Sequence, residues 1–414
     1  MGDARDPRHP GLDRRTFLKA GAGAALLPLL GGGVASAVLA AEEPPRIRRT
    51  TTLGRTGLRI SDIGFGSSRL AGDVRVVEHA FERGVRYFDT AESYQGGASE
   101  ETLGKALAGK RDQVVIASKV EAGASDPWPR LMTRLDGSLA RLRTDRIDVY
   151  LNHAVNDVAR LENPEWPELV SRAKQAGKIR SSGMSGHGGN LVECLDFALA
   201  HDRADVILVG YNFGQDPGFL QEITKSFDFV AVQPGLPKAL ERAKAKDVGV
   251  VAMKTLRGAK LNDLRPYEQG GATFAQAAFR WTLSNPNVDA LVVTMTSVEQ
   301  VDEYVAASGS GPPTRADVAL LARYEALHGA TQCRYGCSDC AGACPVGVSI
   351  PDVLRARMYA EDYGAPDLAR AEFWSLGAAS APCLSCRHRA CSGACPHGLD
   401  VAELATRGYR AMIG

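Results

Sequence analysis

Tyr87-Phe88-Asp89-Thr90-Ala91-Glu92-Ser93-Tyr94 is the stretch on which the larger part of the chain turns. An amphipathic run before it (Val76, Val77, Ala80, Phe81) stops at Gly84, so Tyr87 and Phe88 read as a short buried strand arriving after a helix. Asp89 closes that strand, and a tyrosine follows five residues later. Taken alone, the stretch also reads as an aspartate capping the next helix with Tyr94 packed on the surface, because Asp is a common N-cap. The segments on either side separate the two readings.

Outward from this point, short apolar runs alternate with longer segments of helical period. The candidate strands are Ile60 to Phe65, Val85 to Asp89, Val114 to Ser118, Ile147 to Leu151, Ile179 to Met184, Val206 to Val209, Val248 to Met253 and Ala290 to Val293. A hairpin around Leu53-Gly54-Arg55-Thr56-Gly57-Leu58 precedes them. Eight strands alternating with helices between residues 46 and 325 predict an α/β (β/α)8 barrel, a TIM barrel, whose chemistry gathers at the carboxyl ends of the strands. A doubly wound sheet would carry a longer glycine fingerprint than Gly64-Phe65-Gly66. The expected strand ends present Asp89, Lys119 and His153, with Tyr94 just beyond the first. A lysine beside a phenol favours the phenolate, an aspartate keeps that lysine charged, and an imidazole orients a carbonyl oxygen, so the four together predict a proton donor tuned for neutral pH. Each alone has a plainer structural reading.

These residues sit in motifs that resemble the aldo-keto reductase family over residues 50 to 325. They are Leu53-Gly54-Arg55-Thr56-Gly57-Leu58, Phe88 to Tyr94, Ser99-Glu100-Glu101-Thr102-Leu103-Gly104, Ser118-Lys119, Asp148-Val149-Tyr150-Leu151-Asn152-His153 and Gly177-Lys178-Ile179-Arg180. The resemblance implies a catalytic tetrad of Asp89, Tyr94, Lys119 and His153, in which Tyr94 protonates a carbonyl oxygen while a nicotinamide delivers hydride. It assigns Ser185, Met253, Leu256 and Gly258 to the cofactor side and implies NADP(H) as a cofactor. That side departs from the family pattern. Ser185 is followed by Gly186 where the family has asparagine, Leu208 stands at the glutamine position, Met253 at the stacking aromatic and Tyr304 at the adenine-contacting asparagine. Thr294-Met295-Thr296-Ser297 holds none of the basic residues that grip a 2′-phosphate.

Eight of the nine cysteines lie between Cys333 and Cys395 and define a second module over 330–414, entered through the linker Gly309-Ser310-Gly311-Pro312-Pro313. Cys333, Cys337, Cys340 and Cys344-Pro345 form one set, and Cys383, Cys386, Cys391 and Cys395-Pro396 the other. Three close thiolates with a fourth Cys-Pro that serves the opposite cluster are the pattern of two-cluster ferredoxins, so two [4Fe-4S] clusters are expected. Zinc and disulfides are the alternatives. Pro351 to Tyr359 and Ala369 to Leu376 read as helices, which makes the module a mostly helical, ferredoxin-like one. Cys194, with Leu191, Leu195 and Phe197, reads as a core residue.

Residues 1–41 read as a twin-arginine export signal, from Asp13-Arg14-Arg15-Thr16-Phe17-Leu18-Lys19 and the Gly- and Ala-rich run after it. Export to the periplasm or cell exterior is therefore expected, with no stable membrane span once the signal is removed. A formal charge of +1 gives no footprint for nucleic acid. The expectation that unites these features is an exported oxidoreductase interconverting a small carbonyl or alcohol substrate, coupled to the clusters and to a protein redox partner. Two others stand beside it: an NADPH-dependent carbonyl reductase with a structural cysteine domain, and a non-catalytic electron-transfer or docking barrel.

Overall fold

Apolar residues alternating along short runs bury one set inside a bore and the other beneath helices, and the chain follows this pattern. The computed structural model describes residues 43–413 except 71, 189, 216–234, 257–267, 269–271, 329–331, 334–336, 362–365 and 377. The expected signal at 1–41 lies outside the described residues. Strands β1 (Thr50–Thr52) and β2 (Arg59–Ser61) pair antiparallel across the expected hairpin. Then come β3 (Ile63–Gly66), β4 (Tyr87–Asp89), β5 (Val115–Val120), β6 (Ile147–Asn152), β7 (Ile179–Gly186), β8 (Val206–Gly210), β9 (Gly249–Met253) and β10 (Ala290–Thr294). All eight are parallel and close into a barrel in sequence order, β10 pairing back onto β3 through Val293 and Phe65.

The expected strand Ile60 to Phe65 is two strands. Ile60 belongs to the hairpin and Phe65 to the barrel, and the chain changes direction at Asp62. The buried Asp62 carboxylate accepts hydrogen bonds from Ser308 Oγ at 2.6 Å and the Gly309 amide at 2.9 Å, and its carbonyl accepts from the Leu291 amide at 2.9 Å. Ser308 Oγ also accepts the Arg48 and Arg49 amides, so one residue ties the seam of the barrel to both ends of its chain. The start of the expected linker is thus fastened to the barrel.

Two apolar layers result. Tyr87, Val115, Ala117, Val149, Leu151 and Val251 fill the bore together with Leu53, Leu58 and Ile60 of the hairpin. The outward residues pack under the helices, where Cys194 is fully buried and its thiol is pushed up to about 11 by burial. Helix starts are set by local chemistry: the Asp73 carboxylate accepts the Arg75 amide before Val74–Glu82, and Thr273 with Gln276 forms a capping box before Phe274–Ser284.

The cysteine-rich segment is mostly helical, with helices Ile350–Glu361, Pro366–Ser375 and Val401–Ile413 packing around Val353, Leu354, Phe373 and Tyr409. The two expected helices fall on the first and second of these. The segment belongs to one compact unit with the barrel, Pro44–Gly414. No described helix is long and apolar enough to cross a membrane.

Replacing Asp62 by Ala leaves the Ser308 hydroxyl and the Gly309 amide without their acceptor. The urea-unfolding midpoint should fall by the equivalent of about 2–4 kcal/mol, and Asp62→Asn should recover part of it.

Candidate functional site

Strand alternation turns Tyr87 and Asp89 of β4, and Val115, Ala117 and Lys119 of β5, into the bore. Asp89 and Lys119 therefore meet at its carboxyl end. Lys119 Nζ donates to Asp89 Oδ1 and to the Thr90 carbonyl, both at 2.6 Å, and hydrogen-bonds Tyr94. Lys119 is 1% and Asp89 4% exposed. Burial pulls the Lys119 pKa down, but Asp89 and Tyr94 more than offset it, so the ammonium lies above the ordinary lysine value. The Asp89 carboxyl is raised by burial against the pull of Lys119, and its Oδ2 has no hydrogen-bond partner.

Tyr94 lies on the loop after β4 and is partly exposed. Lys119 Nζ is 5.0 Å from the centre of its ring, and the His153 ring meets it edge-on at 5.6 Å. The loop is held by a short network: Ser67 Oγ donates to the Asp89 carbonyl at 2.8 Å and accepts from Ser99 Oγ at 2.6 Å, and Ser99 Oγ lies 3.0 Å from Thr90 Oγ1. Gly97, at φ 95°, comes so close to Arg141 that a Cβ there would lie 2.7 Å from Cδ. Arg141 is in turn fixed to the buried Glu100, which also accepts from Ser118 Oγ at 2.5 Å. Tyr87 is a second phenol near Asp89, but it is fully buried, its hydroxyl has no partner, and burial with the Asp89 charge pushes it well above 10. Of these two phenols, only Tyr94 faces the mouth.

His153 follows β6, its amide donating to the Val120 carbonyl at 2.8 Å. Burial, then the charges of Lys119, Arg160 and Lys254, hold its imidazole well below the usual histidine value, so it is neutral at pH 7. The four residues expected as a tetrad are brought together on one rim.

Two of the expected cofactor positions also stand at strand ends on this rim. Ser185 stands at the end of β7, with its hydroxyl accepting the Ala154 amide at 3.0 Å and so fixing the turn after His153. Met253 ends β9 on the rim, Leu256 follows it partly buried against the outer core, and Gly258 lies outside the described residues.

Two rim residues escaped the sequence reading. His187, just past β7, is held well below the usual value by burial and by Lys254 and Arg355, with His153 contributing. Lys254 stands just past β9 at φ 57°, a left-handed conformation that a lysine rarely adopts. Its ammonium donates to the Tyr359 hydroxyl of helix Ile350–Glu361 and lies 4.4 Å from the centre of that ring. The cysteine-rich segment thereby touches the rim. No motif announces such a contact between residues 105 positions apart.

No two described cysteines are joined as a disulfide. Cys344, Cys383, Cys386 and Cys391 line one cavity of about 160 Å³. Cys333, Cys337, Cys340 and Cys395 are neighbours in charge: Cys395 and Cys333 act on Cys340, Cys333 acts on Cys337 and Cys395 acts on Cys333. Each set thus combines three thiols of one segment with the Cys-Pro thiol of the other. Burial pushes Cys337 up to about 12 and Cys340 and Cys383 up to about 11, a cost that a bound cation would remove by taking the thiolate. Asp339 and His397 lie beside Cys337, the three ligand atoms within 4.8 Å of one another.

The profile described as "Aldo/keto reductase family" matches residues 62–323. The chain is similar to L-galactose dehydrogenase of Arabidopsis thaliana, 27% identical over 66% of this chain and 92% of that protein. It is also similar to L-glyceraldehyde 3-phosphate reductase of Escherichia coli O157:H7, 26% identical over 61% of this chain and 86% of that protein. In fold it is similar to the holo form of aldo-keto reductase AKR11C1 from Bacillus halodurans, with a TM-score of 0.52 and 23% identity over 66% of this chain and 95% of that one.

Two partly buried imidazoles held neutral make stability depend on pH. An unfolded histidine takes a proton near pH 6.5 while the folded one refuses it, so stability falls with acid below that value and is complete above it. From pH 7 to 5.5 the urea midpoint should drop, by at most about 1.4 kcal/mol per pH unit for each imidazole, and His153→Gln with His187→Gln should flatten the slope.

Proposed function

Because the chain belongs to the aldo/keto reductase family, and is an oxidoreductase, we propose that it interconverts a small carbonyl and its alcohol at Tyr94, in an exported protein whose electrons pass through two [4Fe-4S] clusters. The observation that carries this reading is the convergence of Asp89, Lys119, Tyr94 and His153 at one end of the bore, joined through Lys254 and Tyr359 to a segment with two four-thiol sets.

The chemistry of the chain's own groups follows from their positions. The Tyr94 hydroxyl donates its proton to the carbonyl oxygen, and the neighbouring ammonium of Lys119 stabilises the phenolate left behind. Asp89 keeps that ammonium charged and in place. Neutral His153, edge-on to Tyr94, offers a ring nitrogen to the same oxygen without adding charge. In one direction the carbonyl gains the proton; in the other Tyr94 takes it back.

The donor chemistry fits clusters: four thiols from two separate segments line one cavity, and the other four act on one another by charge. Cys344, Cys383, Cys386 and Cys391 would hold one, and Cys333, Cys337, Cys340 and Cys395 the other. Such groups supply electrons singly. The nicotinamide side fits less well. Ser185 is followed by Gly186 in place of the family's asparagine, and a 2′-phosphate would meet no cation at residues 294–297. NADP(H), which supplies a hydride when bound, is therefore the second reading, supported by the family itself. Asp13-Arg14-Arg15-Thr16-Phe17-Leu18-Lys19 supports export in the folded state, with metal centres assembled beforehand.

Anaerobically purified protein should contain about eight iron and eight sulfide per chain and show a broad visible absorbance bleached by dithionite. A colourless, iron-free protein would leave the NADPH-dependent reductase, which tight binding in an NADPH titration would then establish. Tyr94→Phe should lower turnover by about 10²–10⁴-fold with the iron content unchanged; unaltered turnover would point instead to a docking barrel.

A further inference from the structure

The two thiol sets differ in exposure. Cys333, Cys337 and Cys340 are buried, whereas Cys386 is exposed and Cys383 and Cys391 are partly so. The buried set is also the one tied to the barrel: Arg355 donates to the Cys337 carbonyl at 2.5 Å, its charge acts on His187, and Tyr359 on the same helix accepts from Lys254. Arg355 and Tyr359, on one helix, thus link this set to the rim residues His187 and Lys254.

The exposed set opens onto a different kind of surface. Val346 and Leu384, 55% and 46% exposed, stand at its mouth among the lining residues, and both are large apolar side chains facing water. Arg387, His388 and Arg389 are exposed in sequence order directly after Cys386. Arg389 and Arg410 also line the cavity, and no carboxylate does. Glu403, 3.9 Å from Arg389, is an exposed partner that neutralises little of this charge. An apolar centre ringed by arginines beside an exposed thiol set is complementary to an acidic protein with an apolar contact patch.

We propose that this face docks a small acidic one-electron carrier protein, so that electrons enter or leave at Cys344, Cys383, Cys386 and Cys391 and reach the rim past Cys333, Cys337, Cys340 and Cys395. This rests on the cluster reading above. The balance is simple: a carbonyl reduced to an alcohol takes two electrons and two protons; two successive encounters with the reduced carrier supply the electrons and oxidise two carrier molecules, Tyr94 delivers one proton to oxygen, and solvent water supplies the proton that ends on carbon. The reverse holds for oxidation.

The test uses iron-replete full-length protein, with an acidic plant-type [2Fe-2S] ferredoxin and a basic cytochrome c as probes, and binding measured by surface plasmon resonance at low and physiological ionic strength. The acidic ferredoxin should bind, more weakly as salt rises, and Arg387→Glu with Arg389→Glu should weaken it by about tenfold or more at unchanged iron content and visible absorbance. Arg387→Glu alone, outside the cavity lining, should show part of this loss and guards against a folding defect in the double variant. Leu384→Ser should weaken binding with little change in its salt dependence. Equal affinity of wild type and double variant, or tighter binding of cytochrome c, would overturn the docking face while leaving the clusters standing. A wild-type protein that holds no iron when assembled anaerobically overturns the cluster reading itself, and the electron route with it.

Discussion

A lysine ammonium locked 2.6 Å from an aspartate oxygen in the bore of a closed barrel is the constraint on which the site depends. Removing either ion from water costs several kcal/mol, and the pair is tolerable only with near-ideal geometry and further hydrogen bonds. Here the Thr90 carbonyl and Tyr94 supply them. The pair also constrains the sheet. β4 and β5 are in register with Asp89 opposite Ala117, and a slip of either strand by one residue would turn its ion out among the helices and break the pair.

Polar groups around the pair do the positioning. Ser67, Thr90 and Ser99 bond to one another and to the Asp89 carbonyl, while Glu100 joins Ser118 to Arg141. Their effect is to fix the exit of the chain from β4, and therefore where Tyr94 stands. The close approach of Gly97 to Arg141 belongs to the same device, since no other residue would fit there without displacing the arginine.

Much of this was legible in the sequence because its determinants are local. Strand period, glycine punctuation and the residue at each strand end located Asp89, Lys119 and His153 on three neighbouring strands, and Cys-Pro endings marked how the thiols divide between two groups. What was illegible depends on distant partners. The turn at Asp62 is made by Ser308 and Gly309, so Ile60 to Phe65 reads as one strand until residues some 246 positions away are in place. Ser185 also fixes local structure that its motif does not announce, its hydroxyl accepting the Ala154 amide just after His153. His187 and Lys254 carry no motif, and their surroundings come partly from Arg355 and Tyr359 of the helical segment.

The hairpin at the amino end of the barrel fills the bore with Leu53, Leu58 and Ile60, and Leu53 packs against the start of β9 at Gly249. That end of the bore is therefore closed by apolar side chains. At the opposite end, just past β9, Lys254 meets Tyr359 of the cysteine-rich segment. One end of the barrel is thus sealed by the hairpin that precedes it, and the other carries a side chain lent by the segment that follows it.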